Sequence, residues 1–182
     1  MSILMCLNLI LMAGVVLAQD VITFEKVAIK NDHAASIKDG VVMVTGHSGA
    51  GQRQVPEAAK KGIVCTASGY SHVLALTDSG KVVGWGYAAH GQLDVCKEIG
   101  KAVAITAGHS FSAVLFEDGT VKSSGYPDIT KELSKLKNVM EIATGGNDTL
   151  LVKLEDGKVV IVPEPTPEPT PEPTPEPEPI LP

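Results

Sequence analysis

A glycine-centred turn phrase recurs four times along this chain at an almost constant interval. It ends at Gly40, Gly80, Gly119 and Gly157, with spacings of 40, 39 and 38 residues. A second glycine follows the first three by six residues, at Gly46, Gly86 and Gly125. A fixed period of this size marks a repeat architecture, in which each small unit cannot bury its own apolar faces and is covered by its neighbours. An apolar run stands before the turn, as in HVLALT (72–77) and FSAVLF (111–116), and another after it, as in KVVGWG (81–86). A third lies upstream, as in IVCTAS (63–68), and the connecting segment has room for a weaker fourth. The dipeptides Asp39-Gly40, Ser79-Gly80, Asp118-Gly119 and Asp156-Gly157 suit two-residue hairpin turns, because glycine takes positive φ without a steric penalty.

Strand faces point the same way. Side chains alternate along a strand, so Leu74 and Leu76 oppose Val73 and Ala75, and Ala113 and Leu115 oppose Val114 and Phe116. Both faces are apolar, as expected of a sheet covered on both sides. The terminal units are more polar, with Ser36 and Lys38 in the first and Lys153 in the last, and a stack of repeats needs such ends. The expected fold class is all-β: a partial β-propeller of about three and a half blades, each of three to four antiparallel strands. The blades fall at residues 19–62, 63–102 and 103–138, with a partial blade at 139–162. Closure takes about four to eight blades. Three outcomes are therefore open: a homodimer completes the ring, the arc stands open, or the chain is a fragment.

The net charge of −6 is carried by the end of the chain. Without Glu164, Glu168, Glu172, Glu176 and Glu178, 16 acidic residues face 15 basic ones, and Arg53 is the sole arginine. A nucleic-acid surface needs a basic face, so no nucleic-acid partner is expected. Residues 163–182 repeat proline, glutamate and threonine, which excludes helix and sheet ladders and favours an extended, disordered, solvated spacer. At the other end, residues 1–18 carry no charge. The run is short for a bilayer span and reads as a signal peptide, with Val16 and Ala18 before a cut at Gln19; a membrane anchor or a mispredicted gene start are the alternatives. The expected location is secreted or cell surface, without stable membrane insertion. Removal of Cys6 leaves Cys65 and Cys96, either joined in a disulfide or kept as two buried thiols.

The fuller pattern resembles a known family. IVCTASGYSHVLALTDSGKVVGWGYAAHGQL (63–93) is similar to the repeat of the regulator of chromosome condensation family, through Gly69, His72, Gly80, Trp85-Gly86 and Gly91-Gln92. The first unit keeps His33, Gly40, Gly46 and Gly51-Gln52, then Val55 to Ala59 in a phrase more like the secreted bacterial β-lactamase-inhibitor propellers. The resemblance covers about residues 24 to 162. Phe111 and Thr149 stand at the histidine position of later units, and Ser124 at the tryptophan position. The resemblance implies a seven-bladed ring and a protein-binding role, inhibitory in the secreted relatives. In the nuclear relatives it implies guanine-nucleotide exchange or chromatin binding.

Chemistry-bearing residues do not converge. His33 and His72 share one repeat position and read as structural strand residues; His47, His90 and His109 fall in loops. Gly-His-Ser at 46–48 and 108–110 lacks the second glycine of a nucleophile elbow, and the glycine-rich stretch 46–51 lacks the Lys-Ser/Thr of a phosphate loop. No catalytic residue, metal site or cofactor is expected, and the protein reads as a non-enzyme. Loop residues that differ between units are the candidate partner-binding set: Tyr70, Tyr87, His90, His109 and Tyr126. Loops on a rigid scaffold carry recognition, and tyrosine is a favoured contact residue. The expected partner is another protein. Asn147-Asp148-Thr149 is a glycosylation sequon. The alternatives are an intracellular exchange factor or chromatin binder, and a structural surface protein.

Overall fold

The computed structural model describes residues 26–30, 32–126, 128–145 and 149–162. The expected signal peptide with Cys6, the sequon residue Asn147 and the proline-rich tail lie outside the described residues. Within them the chain is nearly all β, with twelve strands in four three-stranded antiparallel sheets, each paired in chain order. Sheet 1 holds β1 (Lys26–Lys30), β2 (His33–Lys38) and β3 (Val41–Gly46). Sheet 2 holds β4 (Ile63–Ser68), β5 (His72–Thr77) and β6 (Val82–Gly86). Sheet 3 holds β7 (Ala102–Ala107), β8 (Phe111–Phe116) and β9 (Val121–Gly125). Sheet 4 holds β10 (Val139–Thr144), β11 (Leu150–Leu154) and β12 (Val159–Val162). The unit that is shortened in sequence still completes three strands, as many as the others. First strands β1, β4, β7 and β10 meet in succession, which strings the sheets into a propeller arc.

The turns differ from expectation in three of four units. Lys38 pairs with Val41 across Asp39 (φ 53°) and Gly40 (φ 71°), the double positive φ of a two-residue turn. In sheet 2 the Gly80 N–H donates to Thr77 O (3.0 Å) and the Thr77 N–H to Lys81 O (2.9 Å). This is a three-residue loop with glycine alone in the left-handed region, and sheets 3 and 4 repeat it around Gly119 and Gly157. The additional residue explains why His33 and His72 lie 39 apart while Gly46 and Gly86 lie 40 apart. In place of a fourth strand, the connections form short helical pieces: 3-10 turns at Glu57–Ala59 and Asp94–Lys97, and helix α1 (Thr130–Leu133). Each drops one apolar residue into the core: Ala59, Val95 or Leu133.

The core sits between sheets, in three clusters that correspond to the three junctions. Ala35, Ile37 and Val42 meet Val73, Ala75 and Trp85 between sheets 1 and 2. Leu74 and Leu76 meet Val114 and Phe116 between sheets 2 and 3. Ala113 and Leu115 meet Leu150 and Val152 between sheets 3 and 4. The alternation read from β5 and β8 thus sends each face to a different neighbour. Every junction is also stitched by backbone. The carbonyls of turn glycines Gly40, Gly80 and Gly119 accept the N–H groups of Ile63, Ala102 and Val139, the first residues of the following sheets, at 3.0, 2.9 and 3.1 Å.

Candidate functional site

The end of the sheets opposite the turns is where side chains outside the core gather. The loop after the first strand and the segment after the third strand lie side by side in each of the first three units. His47 N–H donates to Asp32 O, Tyr87 N–H to Ser71 O and Tyr126 N–H to Ser110 O, each at 2.9 Å. The glycine before each donor is required. At Gly46, Gly86 and Gly125 the φ is 93°, 101° and 110°, and a Cβ would lie within 2.6 Å of that same acceptor carbonyl. The glycine that follows the turn by six residues is therefore the device that folds two loops onto one rim.

All five residues of the candidate binding set lie on this rim. Tyr70 and His109, from neighbouring units, stack with ring centroids 4.1 Å apart, and Tyr70 N–H donates to Gly108 O across the junction (3.2 Å). Tyr87 and His90 meet edge to face at 5.7 Å. Tyr126 is exposed on the same rim, held by its N–H bond to Ser110 O. His109 Nδ1 lies 2.9 Å from Ser110 Oγ. His47, His90 and His109 are exposed, as expected of loop histidines. Sequence reasoning missed Asp32 and Lys30. Asp32 sits 3.6 Å from His33 Nδ1 and 4.0 Å from His47 Nδ1. Lys30 reaches from the end of β1 to the Gly145 carbonyl at the end of β10 (3.4 Å), linking the first and last sheets. A signal for Lys30 existed: it occupies the position held by Gly69, Gly108 and Gly145 in the other units.

Beneath the rim the histidine position is structural. His72 is fully buried, and its Nε2 lies 2.9 Å from Ser112 Oγ of the next sheet. Burial, followed by the nearby His33 and His109, lowers its pKa to about 4, so the ring is neutral at pH 7. Gln52 and Gln92 are also buried, and their side-chain carbonyls accept the Ala50 and His90 N–H groups at 3.0 Å. Trp85 packs in the junction, as expected, and its Nε1–H donates to Gln52 O. The disulfide that sequence allowed between Cys65 and Cys96 is not formed. Cys96 is a free thiol against Gly84 and Leu93, and burial pushes its pKa up to about 11. Among the described residues, no group of three His, Cys, Asp or Glu side chains is placed to hold a metal ion, and no helix is long and apolar enough to cross a membrane.

Residues 63–92 match the family model of the regulator of chromosome condensation (RCC1) repeat. The arc superposes on yeast RCC1 (Prp20) from a complex with Kap60, with a TM-score of 0.65, 19% identity, and coverage of 80% of this chain and 45% of that one. The fold is a β-propeller arc like that of RCC1, and residues 63–92 carry a matching repeat. Human WBSCR16 gives a TM-score of 0.64 at 20% identity, covering 79% of this chain and 48% of that one. The CRINKLY ectodomain of the Arabidopsis thaliana receptor kinase ACR4 gives 0.59 at 18% identity, covering 76% and 50%. The chain therefore spans about half the length of these structures. No curated protein matches its sequence. The rim is thus formed by the loops that follow the first and third strands of the first three units.

Proposed function

We propose that this chain is a non-enzymatic interaction module that binds another protein through the rim carrying Tyr70, Tyr87, His90, His109 and Tyr126. The carrying observation is the set of 2.9 Å bonds from His47, Tyr87 and Tyr126 to Asp32, Ser71 and Ser110, which brings loops distant in sequence onto one edge of a rigid stack. Large amphipathic rings held in place suit protein contacts at low entropic cost. The neutral body with one arginine favours a protein partner over nucleic acid. Prp20 binds Gsp1p and histones, and an RCC1-type arc fits a comparable protein-binding role.

In this proposal the protein is secreted, the N-terminal run acts as the signal and the proline-rich segment as a spacer. The ACR4 structure that the arc resembles is the ectodomain of a receptor kinase. An inhibitor-like action, in which the rim covers an enzyme, is the narrower form. The second reading, an intracellular regulator of exchange or chromatin, draws on the Prp20 likeness. Mass spectrometry of the native protein separates them: a mature start at Gln19 in the extracellular fraction supports secretion, and an intact Met1 on cytosolic protein refutes it. Photo-crosslinking residues placed at Tyr70, Tyr87 and Tyr126 test the rim. A shared partner captured there, and absent when the label sits in the turns at Ser79 and Asp118, is the expected result; equal capture from both ends overturns it.

A further inference from the structure

The three internal junctions share one plan, and among the described residues both ends of the arc carry an unused half of it. On the sheet 1 side, the residues equivalent to Val73, Ala75 and Trp85 of sheet 2 are Ala34, Ser36 and Thr45. They share the outer face with Val27, Ile29 and Met43, which register opposite them across β1 and β3. On the sheet 4 side, the outer face carries Ala143, Leu151 and Ile161 in one row, and Glu141, Lys153 and Val159 in the next. Polar ends were expected, and Lys153 does hold Glu141 at 2.7 Å. Yet Ile29 is 72% exposed and Ile161 60% exposed. Open apolar sheet faces of this kind are uncommon on isolated chains and mark interaction surfaces.

Two further halves match. Gly40, Gly80 and Gly119 each lie against the first strand of the next sheet, whereas a Cβ at Gly157 meets nothing within 4 Å. The last turn thus presents the carbonyl that elsewhere accepts the next sheet's N–H. At the other end, a cleft of about 270 Å³ is lined by Ile29, Asp32, His33, Ala34, Thr45 and Gly46. The equivalent places in sheets 2 and 3 are filled by the preceding connection: Trp85 donates to Gln52 O, and Ser124 Oγ accepts the Val95 N–H at 2.8 Å. Thr45 sets an exposed hydroxyl at that same position.

We infer that the outer face of sheet 4 of one copy docks on the outer face of sheet 1 of a second copy, repeating the internal junction. Two such head-to-tail contacts close a ring of eight sheets, one blade more than the seven-bladed ring that the resemblance implies and within the four to eight blades that propellers use. The occupant is a second copy rather than an unrelated protein, since the faces continue a junction that this chain already makes three times.

Light-scattering mass of the full chain at micromolar concentration tests this. The expected mass is twice the 19.0 kDa of one chain. Ile29→Glu and Ile161→Glu lie on opposite outer faces, so each reduces the mass to that of one chain while circular dichroism stays unchanged. Mixing the two variants restores a two-chain species, because one intact junction remains between the unaltered sheet 4 face of the first and the unaltered sheet 1 face of the second. A single-chain mass for the unaltered protein overturns the proposal. So does a dimer lost in only one variant, which means an isologous contact. A single-chain mass that doubles on deletion of residues 163–182 assigns the face to the chain's own tail and overturns it equally.

Discussion

At the residue scale, His72 concentrates the most consequence in one side chain. It is neutral in the folded protein, with a pKa of about 4 set first by burial, whereas an unfolded histidine titrates near 6.5. Above pH 6.5 both states are neutral and stability does not depend on this group. As pH falls from 6.5 to 4 the unfolded chain takes up the proton first, so stability declines by about 1.4 kcal/mol per unit. Below pH 4 the decline from this group ends. Urea midpoints measured from pH 7.5 to 4 are expected to fall in that window and to flatten in His72→Gln; a slope unchanged by the substitution refutes the assignment. Gly69 belongs to the same device. A Cβ there would lie 2.1 Å from His72 Cε1, so Gly69→Ala displaces the ring from Ser112. The expected loss is about 1–3 kcal/mol, the cost of leaving a buried polar group unpaired, read from the same urea curves.

At the element scale, the turn glycines separate two kinds of cost. Gly80 and Gly157 have φ values of 82° and 85°, so alanine strains the backbone about equally at both. Only Gly80 also faces the next sheet, where a Cβ would lie 2.6 Å from Lys101 Cγ and 3.2 Å from Ala102 O. Gly80→Ala is therefore expected to lower the melting temperature clearly more than Gly157→Ala, and equal shifts would place the whole cost in the turn. The strand core is similarly specific. Leu74 is fully buried between sheets 2 and 3, and Leu74→Ala is expected to cost about 2–5 kcal/mol in chemical unfolding.

Much of this was legible in sequence, because the period, the turn glycines and the alternation in β5 and β8 are local. They were enough for the strands, the stacking and the buried role of His72. Turn length was not legible: Asp39-Gly40 and Ser79-Gly80 look alike, and only pairing reveals the additional loop residue. The connections hid their short helical turns because three or four residues carry no period. The rim set was named from variation between units, but the Tyr70–His109 stack required knowing that adjacent loops converge. Asp32 and Lys30 were missed because a single unit carries each.

At the scale of the whole molecule, stability is set by how many faces each sheet has covered. Stacked units contribute their own stability plus nearest-neighbour terms. Among the described residues, sheets 2 and 3 have both faces packed, in separate clusters, while sheets 1 and 4 have one. Sub-global opening starts where fewest apolar contacts hold an element. Amides of β2 and β11 are therefore expected to exchange faster than those of β5 and β8, although all four are central strands with ladder bonds on both sides. Intrinsic strand pairing cannot produce that gradient, since each sheet has the same three-strand topology; only face coverage differs. Docking of a second copy covers the two open faces at once. Raising the concentration through the association range should then slow exchange in β2 and β11 while leaving β5 and β8 almost unchanged. In Ile29→Glu and Ile161→Glu the gradient should persist at every concentration. Uniform exchange across the four strands in those variants would mean that the arc opens as a single cooperative unit, and that coverage between sheets is not what holds it.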